Sequence, residues 1–229
     1  MKLLIIRPQP GADGTMARVE AAGHEALLMP LFEVQPVDWQ APALQDYDGL
    51  LLTSANAVRQ AGPQLASFAH LPVLAVGQVT ANAALTAGLT IGQIGDAGVE
   101  ALLQACENRR LLWLAGEDQT DPNAPQTVKV DVRIVYRSAA LPAPEDFHPM
   151  ILQADYILLH SARAATHLSA ILTDQCLEKA KISIGVLSEG IARAAGGGWK
   201  SVRVAPTPND AALLSYLYSS FTSELSDPY

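Results

Sequence analysis

The sequence predicts an α/β protein with two domains, each built on a parallel β-sheet, and two observations lead to this prediction. Short apolar runs alternate with helical stretches along the chain, which is typical of parallel sheets covered by helices on both faces. Three segments also recur in the same order: Asp48–Ala57 as Asp155–Ala164, Val76–Ala81 as Ile184–Glu189, and Gly95–Leu103 as Pro206–Leu214. The copies lie about 110 residues apart, far beyond the period of stacked solenoid repeats, so each copy should be a domain.

Short apolar runs predict ten strands, which we expect to form two sheets of five. In order, they are Leu3–Ile6, Ala26–Met29, Gly49–Leu52, Val73–Val76, Thr90–Ile94, Leu111–Leu114, Val132–Val135, Tyr156–Leu159, Ile182–Val186 and Val202–Val204.

Helices are predicted between these strands, at Gly14–Ala22, Asn56–Gln60, Thr80–Ala87, Gly98–Glu107, Ala162–Leu172, Glu189–Ala195 and Asp210–Ser219. The polar segment Asp118–Thr127 stands where the alternation calls for one more helix. Its two prolines, Pro122 and Pro125, predict that this helix is shortened or lost and that the segment is a surface loop.

Two extended, proline-marked segments, residues 32–37 and 133–144, are predicted to be crossings between the domains. The first domain would then be discontinuous, with residues 1–31 and 145–229, and the second would contain residues 38–132. Two similar domains on one chain leave a cleft between them, which is where we expect the functional site.

Composition excludes several classes of protein. The 229 residues are 49 % hydrophobic and carry a formal charge of −8, which opposes nucleic-acid binding. No apolar run approaches the length of a membrane span, and the N-terminal run is too short for a signal peptide. Cys106 and Cys176 are far apart and predict two reduced thiols. We therefore expect a soluble, cytoplasmic protein, and a monomer.

Four hydroxyl residues, Ser54, Thr80, Ser161 and Ser188, each follow a strand and stand at the start of a helix. They are candidates for ligand binding, because ligands of open α/β sheets bind outside the carboxyl ends of the strands. Helix N-termini there offer N–H groups to carboxylates or phosphates. The alternative is that each hydroxyl only caps its helix.

Two further side chains are candidates. Arg7 follows the first strand and could bind an anion, although a surface arginine is usually just solvated. Tyr136 lies on the second crossing, either as a half-buried aromatic or as a phenol that donates a hydrogen bond or proton. The five histidines show no metal-ligand spacing, so no metal site is predicted.

These motifs together resemble the uroporphyrinogen-III synthase family over essentially the whole chain. The resemblance is carried by the order and spacing of five segments: Leu3–Pro8, Leu50–Val58, Val76–Ala81, Val135–Arg137 and Leu187–Ala192. It implies two flavodoxin-like domains joined by a two-strand β-ribbon, the first domain being discontinuous.

The resemblance also implies an activity. The family closes linear hydroxymethylbilane to uroporphyrinogen III in heme biosynthesis, inverting the last pyrrole ring and losing water without a cofactor. By this resemblance Tyr136 assists departure of the hydroxyl group. Ser54, Thr80 and Ser188 line the substrate cleft, with Gly77 in the Gly-x-x-Thr element of Thr80. Helix amides explain how a chain of charge −8 could hold a substrate with eight carboxylates.

The sequence departs from the family pattern at two places. The segment Asp118–Thr127 replaces a helix, and His160 precedes Ser161 where an apolar residue or threonine is more usual. Two other functions stay open at this point: a two-domain anion-binding protein without catalysis, and an inactive relative of the synthases.

Overall fold

The computed structural model describes the backbone of residues 1–225 and the side chains of residues 1–220. Two compact units are formed, one from Met1–Glu33 with the chain from Ala140 onward, the other from Val34–Ala139. Both divisions fall inside the segments that the sequence predicts as crossings. Residues 226–229, which the prediction assigns to the first domain, lie outside the described residues.

The described chain forms the following strands: β1 (Lys2–Ile5), β2 (Glu25–Leu28), β3 (Phe32–Pro36), β4 (Gly49–Leu52), β5 (Pro72–Val76), β6 (Thr90–Gly95), β7 (Arg110–Gly116), β8 (Lys129–Ala140), β9 (Tyr156–Leu159), β10 (Ser183–Val186) and β11 (Ser201–Val204). Its helices are α1 (Gly11–Ala21), α2 (Ala55–Gln60), α3 (Gln78–Thr86), α4 (Val99–Gln104), α5 (Phe147–Gln153), α6 (Ala162–Asp174), α7 (Glu189–Ala195) and α8 (Asp210–Leu225). Short 3₁₀ turns add Leu44–Asp46, Pro63–Phe68 and Lys179–Lys181.

Each unit is organised around its own sheet. The first sheet has the strand order β11-β10-β9-β1-β2, and the second has the order β3-β8-β7-β4-β5-β6. All the pairs from β11 to β2 and from β8 to β6 are parallel. The predicted fold class, α/β with two parallel sheets, is confirmed.

The two sheets repeat one topology. Strands β9, β10 and β11 occupy the places in the first sheet that β4, β5 and β6 occupy in the second, and β1 and β2 correspond to β7 and β8. The first sheet has the 2-1-3-4-5 order of flavodoxin-like folds. The second sheet has the same spatial arrangement in a circularly permuted chain order, because β4, β5 and β6 precede β7 and β8 in sequence. The three recurring sequence segments lie on these equivalent strands and the helices that follow them, which accounts for the internal repeat.

The central strands are buried on both faces, which explains why they appear in the sequence as continuous apolar runs. Every residue of β4, β9 and β10 is buried. Helices on each side complete two apolar layers per sheet, one containing Phe147 in the first unit and another containing Phe68 in the second. Burial of each such side chain contributes about 1.5–3 kcal/mol to folding.

The predicted count of two five-stranded sheets is wrong, because the second sheet has six strands. The sixth is β3, which the sequence marked only as an extended crossing and which lies beside β8. The prediction of Val132–Val135 was also too short, since β8 continues to Ala140. The Val37 N–H donates to the Val135 carbonyl at 3.0 Å, and the Leu141 N–H donates to Leu31 at 2.9 Å. These bonds satisfy one backbone N–H group in each crossing.

Helix α5 was not predicted from the sequence, whereas the predicted loss of a helix at Asp118–Thr127 is observed. Helix α5 contains Pro149, which argues against a helix in sequence, but the proline stands in the first turn, where its missing N–H is not needed. Between β7 and β8, residues 117–128 form no helix. Instead the loop places Ala124 and Val128 against the apolar layer over β7. A groove of about 460 Å³ remains beside Val130 and Val132.

Candidate functional site

The seven candidate residues fall into two sets, each at the carboxyl edge of one sheet. Ser54, Gly77, Thr80 and Tyr136 belong to the second unit. There, β8, β7, β4 and β5 are successive neighbours in the sheet. The first unit holds a set of three: Arg7, Ser161 and Ser188 follow β1, β9 and β10, which are also successive neighbours. The structure therefore brings the members of each set together on one edge.

Both edges contain a topological switch point, the place where ligands bind in open α/β sheets. In the first sheet the chain runs outward in opposite directions from the adjacent strands β1 and β9, which lead into Arg7 and Ser161. In the second sheet the switch lies between β7 and β4, which end at Gly116 and just before Ser54. Arg7 and Ser161 stand at the switch point of the first sheet. Ser54 stands at that of the second sheet, as does Tyr136 through its contact with Gly116.

Tyr136 is positioned by a bulge in β8. Ala115 of β7 lies opposite Ile134, whereas Gly116 lies opposite Tyr136, so that Val135 is an extra residue in the strand. Bulges of this kind re-aim a side chain and are frequent beside active sites. The Tyr136 carbonyl also accepts a hydrogen bond from the Glu117 N–H at 2.9 Å. The bulge therefore places Tyr136 level with the carboxyl end of β7.

The ring of Tyr136 lies against the backbone of Gly116. A Cβ atom on Gly116 would be 2.6 Å from Cζ and 2.8 Å from Oη of the tyrosine, closer than real Cβ contacts occur. The ring is half-buried and packs against the apolar layer that includes Phe68. Its hydroxyl makes no hydrogen bond to a residue whose side chain the structure describes. The phenol is thus fixed in place while its O–H is left for another partner.

Thr80 is not a helix cap, as the capping alternative supposed, but the third residue of α3. The cap is Gly77, whose φ of +79° suits glycine and which supplies no side-chain bond to the helix. Thr80 is only 5 % exposed, and its hydroxyl has no hydrogen-bond partner within residues 1–220. The first-turn amides of α3 and the Thr80 hydroxyl therefore form a set of uncommitted donors at the end of β5.

The three serines do cap their helices. Ser54 accepts from the Asn56 N–H at 3.2 Å, and Ser161 accepts from the Ala164 N–H at 3.1 Å. Ser188 accepts from the Ile191 N–H at 3.4 Å. The capping alternative is therefore correct, since each serine oxygen accepts a hydrogen bond from its helix. Each hydroxyl proton nevertheless stays available to donate. Beside Ser54, the Thr53 hydroxyl accepts from Trp113 Nε1 at 3.2 Å.

A buried polar cluster, which was not predicted from the sequence, lies beside Arg7. Its centre is Asp210, the first residue of α8. Asp210 Oδ1 accepts from His160 Nε2 at 2.7 Å, and Oδ2 accepts from the Thr15 hydroxyl at 2.7 Å and from Arg18 at 3.0 Å. The side chains of His160 and Asp210 are only 8 % and 11 % exposed. The only sequence signal was His160 itself, which departs from the family pattern.

Hydrogen bonding governs the charge of this cluster. Burial would raise the pKa of Asp210, but the hydrogen bonds from His160 and Thr15, together with the charges of His160 and Arg7, outweigh it. The result is a pKa of about 2, below the ordinary value of 3.8. Asp210 is therefore a carboxylate at neutral pH and acts only as an acceptor.

This pKa shift predicts acid-sensitive stability. A carboxyl with a lower pKa in the folded state stabilises the fold above its ordinary pKa near 3.8, and the contribution is lost as the pH falls toward about 2. We expect about 1–2 kcal/mol from Asp210, since its partner Arg18 is half-exposed and screened. Urea unfolding at about pH 5 and about pH 2.5 should show the wild type losing that much more stability than Asp210→Asn. The exposed Glu20→Gln variant serves as the control and should behave like the wild type. An equal loss in Asp210→Asn and wild type would contradict the assignment.

The described part of the chain lacks a membrane-spanning helix and a metal-binding cluster. No helix in residues 1–225 combines the length and the apolar character that crossing a membrane requires. No group of three or more His, Cys, Asp or Glu side chains within the described part is arranged to hold a metal ion. Cys106 is buried and Cys176 exposed, and both are free thiols. Burial raises the pKa of Cys106.

Comparison with known proteins gives consistent matches. The family model described as uroporphyrinogen-III synthase HemD matches residues 13–215. The fold is similar to the crystal structure of uroporphyrinogen-III synthetase from Helicobacter pylori, with a TM-score of 0.64 at 14 % identity, covering 96 % of this chain and 99 % of that one. It is also similar to a mutant uroporphyrinogen III synthase from the extremely thermophilic bacterium Thermus thermophilus, with a TM-score of 0.54 at 19 % identity, covering 97 % and 99 %. The comparison with curated proteins found no match.

Proposed function

The chain belongs to the uroporphyrinogen-III synthase family, and we propose that Tyr136 and the carboxyl edge of the second sheet carry out its chemical step. The activity is cyclisation of hydroxymethylbilane to uroporphyrinogen III, a cyclising lyase reaction of tetrapyrrole biosynthesis. The observation that carries the assignment of Tyr136 is its geometry. A bulge and a glycine contact fix the ring at the end of β7, and the hydroxyl is uncommitted.

The proposed first step is loss of water. The Tyr136 O–H donates its proton to the hydroxymethyl oxygen as the carbon–oxygen bond breaks, so that water departs and the terminal pyrrole becomes an azafulvene. The pyrrole N–H proton then restores the phenol, which balances the step. Ring closure through a spiro-pyrrolenine follows and inverts the last ring. Proton donation of this kind contributes about 10²–10⁴-fold to a rate.

The protein must also bind the substrate in one conformation, because free hydroxymethylbilane closes without inversion to isomer I. Holding a flexible polyanion in one conformation converts the ring closure into an oriented, effectively unimolecular step. The first turn of α3, which has no side-chain cap, and the Thr80 hydroxyl offer donors to a substrate carboxylate beside Gly77. Arg7, with the hydroxyl protons of Ser161 and Ser188, offers further donors on the edge of the first sheet, and Ser54 on that of the second.

We further propose that the protein works in the cytoplasm without nucleic acid. The charge of −8, which opposes nucleic-acid binding, and the two free thiols, which suit a reducing compartment, support this proposal. It works as a monomer without a cofactor. Sedimentation or size-exclusion chromatography of the purified chain tests the oligomeric state, for which the expected mass is 24.3 kDa.

The assay for this function scores product isomers. Freshly made hydroxymethylbilane is incubated with the protein, and the product is oxidised and separated into isomers III and I. We expect mainly isomer III, and mainly isomer I with heat-denatured protein. Isomer I alone, from folded protein that still binds uroporphyrinogen III, would identify an inactive relative or a binding protein instead.

Thr80→Val tests the binding part of the proposal. The substitution keeps the shape of the side chain but removes the hydroxyl that has no partner in the described chain. Loss of one hydrogen bond to a charged carboxylate should raise KM by about tenfold. The kcat should change less than twofold or so, because the reacting atoms lie elsewhere. Ala83→Ser, on the same helix, is the matched control. A change confined to kcat would contradict a binding role.

A further inference from the structure

The Arg7 guanidinium is held by a chain of hydrogen bonds that ends at a buried carboxylate. Arg7 Nη1 lies 3.4 Å from the Thr15 hydroxyl oxygen, and that hydroxyl lies 2.7 Å from Asp210 Oδ2. Thr15 has one proton to give, and its other available acceptor, the Gly11 carbonyl, is farther away at 3.3 Å. The proton therefore goes to the charged, nearer carboxylate, and the Thr15 oxygen is left to accept from Arg7.

The guanidinium also lies against Gly11, at the start of helix α1. A Cβ atom on Gly11 would lie 2.7 Å from Nε and 2.7 Å from Nη2 of Arg7, so the flat group occupies space that only glycine leaves open. Thr15 lies one turn further along the same helix and is fully buried. Arg7 thus contacts two residues of α1, a helix that has no equivalent in the described part of the second unit.

The arrangement leaves the guanidinium able to bind. Only one of its five N–H donors bonds to a side chain of residues 1–220, and the group stands at the switch point of the first sheet. Asp210 forms no direct ion pair with Arg7, and its oxygens accept instead from His160, Thr15 and Arg18. Burying a carboxylate is costly unless hydrogen bonds satisfy it, and these three donors do so. A carboxylate held in this way can orient Thr15, which points to a positioning role.

We propose that Thr15 and Asp210 are positioning residues, which orient Arg7 to bind a carboxylate of the tetrapyrrole substrate without touching that substrate themselves. This inference rests on the proposed role of Arg7 in substrate binding. It assigns His160 and Arg18 the task of keeping Asp210 ionised and oriented. Loss of the chain should weaken binding while leaving the chemical step at Tyr136 unchanged.

A double-mutant cycle tests the proposal. Arg7→Gln, Thr15→Val and the double variant are compared by KM, kcat and the Kd for uroporphyrinogen III under nitrogen. Thr15→Val should raise KM and Kd about tenfold with kcat unchanged, and Thr15→Ser should restore both. In the Arg7→Gln background Thr15→Val should add less than about twofold, because the residue it positions is gone.

Gly11→Ala provides a second route that does not disturb the buried cluster. Alanine suits the first turn of α1 better than glycine, so the fold should be at least as stable. The new methyl group should push Arg7 aside and raise KM and Kd, whereas Gly197→Ala, with open space around it, should change neither. A stable Gly11→Ala protein with wild-type KM and Kd would overturn the proposal.

The outcomes separate the two levels of inference. If Arg7→Gln weakens binding and Thr15→Val adds its full factor on top, Thr15 acts independently and the positioning role is wrong. If Arg7→Gln leaves KM and Kd unchanged while isomer III is still formed, the inference falls and the proposed activity stands. If the wild type forms no isomer III but the Kd values show the coupling, the activity falls and the positioning role stands.

Discussion

Tyr136→Phe should slow turnover by about 10²-fold, the low end of the range for general acid catalysis. The substitution removes only the hydroxyl, which makes no hydrogen bond to a described side chain, so packing on Gly116 and the stability should be retained. Activity should not vanish, since the hydroxyl of the substrate is a good leaving group. The remaining product should be mainly isomer III, because the fold of the substrate is set by the binding residues.

The measurement is kcat and the isomer ratio, with the Kd for uroporphyrinogen III as a check on binding. Tyr156→Phe is a matched control, because Tyr156 lies within β9 and is largely buried in the first unit. It should leave kcat unchanged. A folded Tyr136→Phe protein that binds normally and has a wild-type kcat would show that Tyr136 is a packing aromatic and that the proton donor lies elsewhere.

Gly116→Ala should also reduce kcat, by up to about 10²-fold, although it changes no functional group. The new Cβ would stand 2.6 Å from Cζ of Tyr136, so the ring must move by roughly 1 Å to reach normal contact, and displacements of that size can cost about 10²-fold in rate. Binding through Thr80 should survive, so KM should rise less than kcat falls.

The decisive comparison is the double variant Gly116→Ala/Tyr136→Phe. If the glycine acts by positioning the phenol, its substitution should add little to the loss caused by Tyr136→Phe. Gly92→Ala, which meets the ring of Pro72 on an edge strand of the same sheet, is a control for general effects of a crowded glycine. Full additivity of the two losses would mean that Gly116 does not act through Tyr136.

Part of this site could be predicted because a parallel α/β chain places its strand ends on one edge. Any residue directly after an apolar run, such as Arg7, Ser54 or Ser188, must then lie at the carboxyl edge, whatever the packing. The order of the strands adds which ends are neighbours, and this was not readable from the runs alone. The helix that the sequence predicts to begin at Thr80 begins two residues earlier, at Gln78, because a glycine cap has no side-chain signature.

The fold was readable where local pattern and tertiary packing agree. Helix Glu189–Ala195 has the predicted bounds, and the buried strands match their apolar runs closely. The pattern failed at β3 and α5. Strand β3 has too little apolar character to stand out and exists because β8 offers it a partner, and α5 is masked by a first-turn proline.

The sequence by itself determined the α/β class, the duplication, the strand-end candidates and the family. All of these depend on residue types within a few positions of one another or on a repeat of such patterns. Only the tertiary structure decided what surrounds them. Thr15 and Asp210 are 195 residues apart, and His160 and Asp210 are 50 apart. Tyr136 meets Gly116 only through a one-residue bulge. Contacts of this kind depend on strand order, register and side-chain direction, which no local pattern encodes.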